Sequence, residues 1–132
     1  MQTFLPVPNF AESAFYLDRQ RLGKQRVEAY QIYQAITDSN YGWQNHPCVQ
    51  MWRAYPGALC AYYTAVCNEW KARGYKHNMP ALEVVDYDVP VWLGSAEFHR
   101  SHRSNLLRKN YEWYSRYWNE PTDLAYIWPK GE

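Results

Sequence analysis

Residues 11–37 read AESAFYLDRQRLGKQRVEAYQIYQAIT, and this stretch carries the strongest helical signal in the chain. It contains no proline, and the Asp-Ser-Asn triplet of residues 38–40 favours a turn directly after it. On a helical wheel, with about 100 degrees per residue, six apolar residues fall on one side of the helix: Ala14, Leu17, Ala29, Ile32, Ala35 and Ile36. The pattern predicts one long helix with a single apolar face.

Prolines predict how the chain runs on both sides of this helix. Two of them, at positions 6 and 8, forbid a helix near the N-terminus, so residues 1–9 are expected to be extended. Pro47 and Pro56 can each occupy the first turn of a helix, a short one through residue 52 and a longer one to about residue 73. A serine at position 95 can cap a further helix to residue 107.

The remaining segments predict loops and short elements. Residues 75–90 contain prolines and an acidic pair, and they are expected to form a loop that can include a short strand at residues 82–85. Residues 111–118 predict a short aromatic helix, and residues 121–132 a tail that packs back on the body. The fold class is therefore predicted to be all-α: a single compact domain over residues 1–132, with about three main helices, long loops and an extended N-terminal segment.

Composition narrows the class of protein. The chain has 132 residues, of which 47% are hydrophobic and 20% charged, so it has the size and make-up of one globular domain rather than a disordered chain. No apolar run approaches the roughly 20 residues of a membrane span, and the N-terminus lacks the basic residue of a signal peptide. Three cysteines, at positions 48, 60 and 67, cannot all pair, which makes a reducing cytoplasm the expected compartment.

The apolar face of the predicted helix turns polar in its middle. Asp18, Arg21, Gln25 and Glu28 lie on the same side as the apolar residues. Burying such groups costs free energy unless they are paired or line a cavity. Two interpretations stay open: a buried network that pairs Asp18 with Arg21 and Gln25 with Glu28, or a polar pocket used for chemistry or ligand binding.

Two short segments concentrate the basic residues, although the formal net charge of the chain is only +1. Residues 19–26 and residues 99–109 hold 8 of the 14 lysines and arginines and no acidic residue. Arginine, lysine, serine and asparagine commonly contact phosphates, and nearby tryptophan or tyrosine rings can stack an extruded base. The candidate phosphate and DNA contacts are Arg19, Lys24, Arg26, Arg100, Arg103, Arg108 and Lys109.

Histidine and amide side chains supply the candidate substrate-binding residues. The loop GWQNHP at residues 42–47 is rich in hydrogen-bonding groups, and it is either part of a site or an ordinary turn whose Trp43 lies in the core. His99 and His102 have the spacing of a ligand pair on a helix, but no third ligand follows at a telling spacing, so we expect neither a metal nor a cofactor. The candidate substrate-binding residues are Gln25, Asn45, His46, His99, His102 and Asn105.

Five segments resemble one family. They are MQTFLP at residues 1–6, LDRQRLGKQRVE at 17–28, GWQNHP at 42–47, PVWLG at 90–94 and HRSHRS at 99–104. All five are similar to proteins grouped with the pyrimidine-dimer DNA glycosylases, the phage endonuclease V family. The resemblance spans most of the chain and is specific to the less characterised bacterial and phage branch of that family.

The resemblance implies a compact all-α domain that inserts its N-terminal segment between helices near the active site. The characterised repair enzyme of this family removes the 5′ base of a UV-induced dimer and then nicks the strand. Its α-amino group attacks the sugar C1′ to give a Schiff base, and a glutamate on the first long helix assists. Basic residues of that helix hold the phosphates of a kinked duplex.

The resemblance also assigns candidate catalytic residues. The family's glutamate falls on Gly23 when the first helix is aligned without gaps, and on Arg21 after a two-residue shift. Asp18 and Glu28 are the carboxylates that remain on this helix near the polar stripe, and either would stabilise positive charge on the sugar. The second residue is a large glutamine, so Met1 is expected to be retained. Two nucleophiles stay open: the amine of Met1, and a water molecule that the carboxylate positions. The candidate catalytic residues are Glu28, Asp18, Arg21 and Met1.

The residues and the resemblance together predict a DNA glycosylase, with or without abasic-site (AP) lyase activity, that acts on a damaged or modified pyrimidine base in DNA. Its expected partner is DNA, as a duplex with an extruded base, with no membrane and no obligate protein partner. The expected location is the cytoplasm, at the nucleoid or, for a phage-encoded protein, in the host cell. Two alternatives stay open: a non-catalytic nucleic-acid-binding module, and an enzyme that acts on free nucleotides or nucleosides in a base-modification pathway.

Overall fold

Six helices form the protein in a computed structural model that describes residues 1–129. In chain order they are α1 (Phe10–Tyr16), α2 (Arg19–Thr37), α3 (Pro47–Trp52), α4 (Pro56–Ala72), α5 (Ala96–Lys109) and α6 (Tyr111–Tyr114). The described residues contain no strand, and the prediction of an all-α fold is confirmed. The longest helices, α2, α4 and α5, correspond to the three main helices that the sequence predicts.

The helix predicted over residues 11–37 is in fact two helices, so that prediction was wrong. Leu17 and Asp18 are extended, with ψ of 136° and 162°, and they separate α1 from α2. The hydroxyl of Tyr114 accepts the backbone N–H of Asp18 at 2.9 Å and donates to its carboxylate at 2.5 Å. The break is therefore held by a residue of α6, and neither proline nor glycine marks it in the sequence.

The core lies between α2, α4 and the shorter helices. Both α1 and α2 pack against α4. Gly23 allows the close approach of α2, because a Cβ at this position would lie 3.1 Å from the ring of Trp70 on α4. Trp52, Tyr62 and Phe98 are almost completely buried, so a large part of the aromatic content serves packing. None of the helices within residues 1–129 is long and apolar enough to cross a bilayer.

The N-terminal segment is extended, as its prolines predict, and it runs through the body of the protein. Residues 3–6 are buried. The backbone of this segment contacts Tyr62 of α4, His102 of α5 and Tyr126 of the C-terminal tail. Elements from distant parts of the sequence therefore fix the position of the first residue.

Three local predictions differ from the structure. Residues 82–85 form no strand, because the described part of the chain offers no second strand with which they could pair. The last helix ends at Tyr114 and not at residue 118. Trp43 is 54% exposed and does not lie in the core. The tail does pack back through Tyr126 and Trp128, while residues 130–132 of the predicted tail lie outside the described residues.

Candidate active site

Side chains of α2 and α4 hold the first residues of the chain, which we call the N-terminal strap (residues 1–6). The side-chain nitrogen of Gln25 donates to the carbonyl of Gln2 at 2.8 Å, and its oxygen accepts the N–H of Phe4 at 3.1 Å. The hydroxyl of Tyr62 lies 3.0 Å from the carbonyl of Phe4 and also contacts the Gln25 oxygen. Gln25, a predicted substrate-binding residue, is therefore buried under the strap and contacts its backbone.

Helix α5 holds the next part of the strap. Nδ1 of His102 accepts the N–H of Leu5 at 2.8 Å. Nε2 of His99 accepts the N–H of Gly94 at 2.8 Å, so its Nδ1 carries the proton and donates to the Leu5 carbonyl at 2.7 Å. Burial lowers the pKa of both histidines, which keeps them neutral in these roles. Their contact with a substrate stays a prediction, since each ring already binds the backbone of the strap.

The strap places the N-terminus of the chain beside Glu28. The backbone N–H of Gln2 donates to Oε2 of Glu28 at 2.6 Å. Met1 and Glu28 line the same surface pocket, whose volume is about 400 Å³. The full lining is Met1, Gly23, Lys24, Val27, Glu28, Gln31 and Trp43. Two of the four predicted catalytic residues are thus brought together.

Glu28 is the carboxylate among the residues that line this pocket. Gly23 also lines it, and a Cβ at that position would lie in tight contact with the ring of Trp70, at 3.1 Å. Oε2 of Glu28 is bound by the strap, whereas its Oε1 makes no hydrogen bond with the described residues. One carboxylate oxygen is therefore fixed by the fold, and the other can face a ligand.

His46, at the start of α3, belongs to the same electrostatic cluster. Burial and the positive charge of the α-amino group lower the pKa of His46, while the carboxylate of Glu28 opposes this shift. Nδ1 of His46 accepts the N–H of Cys48 at 3.0 Å, so the neutral ring carries its proton on Nε2. A neutral imidazole adds no positive charge beside the amine. Asn45, the preceding residue, is exposed.

Trp43 forms the outer wall of the pocket in an unusual conformation. Its φ of 70° lies in the left-handed region, and among the described residues other than glycine it alone has a positive φ. The side-chain nitrogen of Gln44 holds this loop by donating to the carbonyls of Ala35 at 2.8 Å and Tyr41 at 2.9 Å. The fold therefore fixes the backbone of a tryptophan that remains more than half exposed beside the N-terminus.

Asp18 and Arg21, the other two predicted catalytic residues, form a separate structural cluster. The carboxylate of Asp18 accepts hydrogen bonds from Arg21 at 3.1 Å, Asn110 at 3.2 Å and Tyr114 at 2.5 Å. This is the Asp18–Arg21 pair of the network interpretation. Gln25 binds the strap and not Glu28, so the polar stripe divides into a structural part and a part beside the pocket.

Replacing Asp18 with alanine is expected to lower the free energy of unfolding by about 3 kcal/mol, because a buried acceptor for three donors is lost. A loss of that size would lower the Tm by roughly 10 °C. Urea unfolding monitored by circular dichroism measures the change. Asp88→Ala, which removes an exposed aspartate, serves as the matched control and is expected to change stability by less than about 0.5 kcal/mol. Equal stabilities of the two variants would contradict the role given to Asp18.

Most cations of the second basic segment are bound by the protein itself. Arg100 and Arg103 both pair with Glu120, at 3.1 and 2.7 Å. Arg108 donates to the Asn105 side chain and to a backbone carbonyl of the tail, and Asn105 donates to the carbonyl of Ser101 at 2.8 Å. These contacts fasten the tail to α5. Phosphate binding by this segment, including the exposed Lys109, stays a prediction.

The cations of α2 differ, because Arg19, Lys24 and Arg26 have no carboxylate partner in the described part of the chain. Arg19 lies over the ring of Tyr75 at 5.0 Å, and Arg26 over the ring of Trp70 at 4.2 Å. The segment at the end of α4 supplies these rings and is not among the predicted site residues. Its residues 70–77, WKARGYKH, carry three basic residues, a histidine and no acid, which is a signal of the same kind as in residues 19–26.

The thiols are poor candidates for a nucleophile. Burial raises the pKa of Cys48 to about 12, and it also raises the pKa of Cys60 and of Cys67. Residues 1–129 contain no group of three or more histidine, cysteine, aspartate or glutamate side chains arranged to hold a metal ion.

Comparison with known proteins identifies one family. The model of one family, described as pyrimidine dimer DNA glycosylase, matches residues 1–83. The match covers more than half of the 132 residues, and the chain therefore belongs to the pyrimidine dimer DNA glycosylase family. DNA glycosylase activity and DNA as a partner follow at the level of the family. Neither the search of curated proteins nor the search of solved structures returned a match.

Proposed function

We propose that the protein excises a damaged or modified pyrimidine from duplex DNA and then cleaves the resulting abasic site, with the α-amino group of Met1 as nucleophile and Glu28 as the assisting carboxylate. One observation carries this proposal: the strap holds the N-terminus and Glu28 in one pocket, with 2.6 Å between the nitrogen of Gln2 and Oε2 of Glu28. The pocket and its residues lie within the part of the chain that matches the family.

The chemistry needs only groups that this pocket contains. The unprotonated amine forms a bond to the sugar C1′, the bond from C1′ to the base breaks, and the base leaves with a proton. The nitrogen then gives up one proton. The bond from C1′ to the ring oxygen breaks as that oxygen takes up a proton, which leaves a protonated Schiff base at C1′. Loss of a C2′ proton breaks the bond from C3′ to the phosphate oxygen, and water releases the amine. The carboxylate of Glu28 stabilises the positive charge on the sugar and accepts a proton.

The pocket also has the form needed for an extruded base. Its volume of about 400 Å³ accommodates a nucleobase, and Val27 and Trp43 give it apolar walls. Enzymes that act on a base inside a duplex rotate the nucleotide out of the stack and often hold it against an aromatic ring. The exposed ring of Trp43 would provide that surface. We expect Arg19 and Lys24, both exposed on α2, to contact the flanking phosphates.

Trp43→Ala is expected to raise the Kd for damaged duplex DNA about tenfold or more, because a stacked base contributes about 1–3 kcal/mol. Trp43→Phe should restore part of the affinity. Fluorescence anisotropy with a labelled duplex measures both. The control is Phe15→Ala, which removes an aromatic side chain of similar exposure, 55% against 54%, far from the pocket lining. If Phe15→Ala and Trp43→Ala weaken binding equally, the stacking role of Trp43 is wrong.

The function itself is tested on a UV-irradiated duplex and the same duplex without irradiation. We expect cleavage of the glycosidic bond of a pyrimidine, followed by strand cleavage, only in the irradiated DNA. The base of a cyclobutane dimer stays joined to its neighbour, so photoreversal of the product is needed before the free base is detected. A panel of duplexes with single modified pyrimidines then identifies the preferred base. Tight binding with neither base release nor cleavage on any of these substrates would contradict the proposal.

A further inference from the structure

A second cluster of polar groups lies where α2 meets the end of α4. The guanidinium of Arg26 lies 4.2 Å from the ring centre of Trp70, and its NH1 is 3.0 Å from Nδ1 of His77. The indole nitrogen of Trp70 donates to the carbonyl of Lys76 at 2.9 Å, which ties the segment after α4 back to the ring. The ring of Trp70 therefore supports Arg26 and fixes the segment that carries His77.

This cluster is positively charged and has no anion of its own. The four ion pairs among the described residues involve neither Arg26 nor Lys71. Burial lowers the pKa of His77, and the positive charges of Arg26 and Lys71 lower it further. Nε of Arg26 is buried without a hydrogen-bond partner. Arg26 and His77 are in contact, and the exposed Lys71 follows Trp70 directly on α4. Two cations and a histidine on one segment, none of them paired with a carboxylate, favour an anionic ligand.

The cluster borders the proposed active site. Gly23 lines the pocket of Met1 and Glu28, and the ring of Trp70 packs directly against Gly23. We expect a DNA strand with one nucleotide in the pocket to pass close to Trp70 and to the cations beside it. Among anions, the phosphodiester of the same strand is the one that this position favours, since Arg, Lys and a histidine N–H are all phosphate donors.

We propose that Arg26, Lys71 and His77 form a binding site for a backbone phosphate of the DNA strand whose base enters the pocket. This inference rests on the proposed function, because it requires DNA in that pocket. Arg26 is a phosphate candidate from the sequence alone, whereas Lys71 and His77 enter only through the structure. Nδ1 of the neutral His77 accepts from Arg26, so Nε2 carries a proton and can donate to the phosphate.

The site predicts a link between DNA binding and protonation. The charged groups that face His77 are Arg26 from α2 and Lys71 from α4. A bound phosphate offsets both positive charges, and the pKa of His77 therefore rises in the complex. A group whose pKa rises on binding takes up a proton, which for His77 goes to Nδ1, so NH1 of Arg26 must turn from Nδ1 to the phosphate in the complex. DNA affinity should therefore increase as the pH falls from about 8 to 6, a range that includes the ordinary histidine pKa.

The test is fluorescence anisotropy with a duplex that contains a non-cleavable abasic analogue, at several salt concentrations and pH values. Lys71→Ala is expected to weaken binding about tenfold and to reduce the slope of log Kd against log salt by about 0.9. His77→Gln should remove most of the pH dependence. The matched control is Arg116→Ala, because Arg116 also lies over an indole, at 4.1 Å from Trp113, but outside the proposed site. Arg116→Ala should leave affinity within about twofold and the slope unchanged.

The outcomes separate this inference from the proposed function. If Lys71→Ala and His77→Gln bind like the wild type while the wild type still releases base, the phosphate site is wrong and the function stands. If Lys71→Ala and Arg116→Ala weaken binding equally, the effect is one of general charge and the site is also wrong. A wild-type protein that binds no DNA would overturn both proposals. Circular dichroism of each variant shows that it remains folded.

Discussion

Replacing Glu28 with glutamine is expected to slow base release about a thousandfold, while the Kd for damaged DNA stays within about threefold of the wild type. Glutamine has nearly the same shape as glutamate, and its side-chain oxygen can still accept the N–H of Gln2 that Glu28 binds at 2.6 Å. The strap is therefore expected to stay in place. What disappears is the negative charge that stabilises the sugar and accepts a proton.

Single-turnover kinetics on a UV-irradiated duplex measure the rate of glycosidic-bond cleavage. Fluorescence anisotropy measures the Kd for damaged DNA. Glu97→Gln makes the same chemical change at an exposed position in the first turn of α5, and it should react at the wild-type rate. A Glu28→Gln protein as fast as Glu97→Gln would remove Glu28 from the mechanism. A variant that loses binding and turnover together would point to a defect of the strap and not to the chemistry.

Extending the chain by two residues, Gly-Ser, before Met1 is expected to reduce base release and strand cleavage by about a thousandfold or more. The added residues convert the α-amino group of Met1 into an amide, which is not a nucleophile, and carry the new amine away from Glu28. Met1 is only half-buried, so the extension has room and the fold is expected to be retained.

The loss of activity in the extended protein should be reversible. A protease site placed so that cleavage leaves Met1 as the first residue should restore activity to the extended protein. The same Gly-Ser addition after Glu132 serves as the control and should change nothing. The intact mass of the purified protein establishes whether Met1 is present. Full activity of the extended protein before cleavage would contradict an amine mechanism.

Local signals predict much of the fold. Pro47 and Pro56 do begin α3 and α4, and the side chain of Ser95 caps α5. Each of these signals acts within one turn of helix, which is why sequence alone reveals it. The break between α1 and α2 depends instead on the contact of Asp18 with Tyr114, 96 positions later, and no local pattern contains that information.

In the candidate site, too, local sequence signals reveal some features and long-range contacts determine the others. Helical projection identifies Gln25 and Glu28 as polar residues on the apolar side of α2. Their partners are backbone groups of the strap, 21 to 26 positions away, and the strap is in turn held by His99 and His102 of α5. The spacing of these polar residues could therefore show that a polar partner lies against α2. Only the structure shows that this partner is the N-terminal strap.

Composition alone does not show which cations of the two basic segments are paired within the protein. Arg100 and Arg103 share Glu120, which follows them by 20 and 17 positions, whereas Arg26 lies on an indole and has no carboxylate partner among the described residues. The segments look alike in sequence because both lack acids. The difference arises from which distant residues the fold brings to each of them.

The most direct test of Met1 as the nucleophile is borohydride trapping, which reduces a Schiff base to a stable covalent link. Labelled duplexes would carry an abasic site, a thymine dimer or no damage, and the adduct would be mapped by mass spectrometry. We expect an adduct at the α-amino group of Met1 with the abasic site and the dimer, and none with undamaged DNA. Base release without an adduct, or an adduct on a lysine such as Lys24, would contradict the assignment of Met1 as the nucleophile.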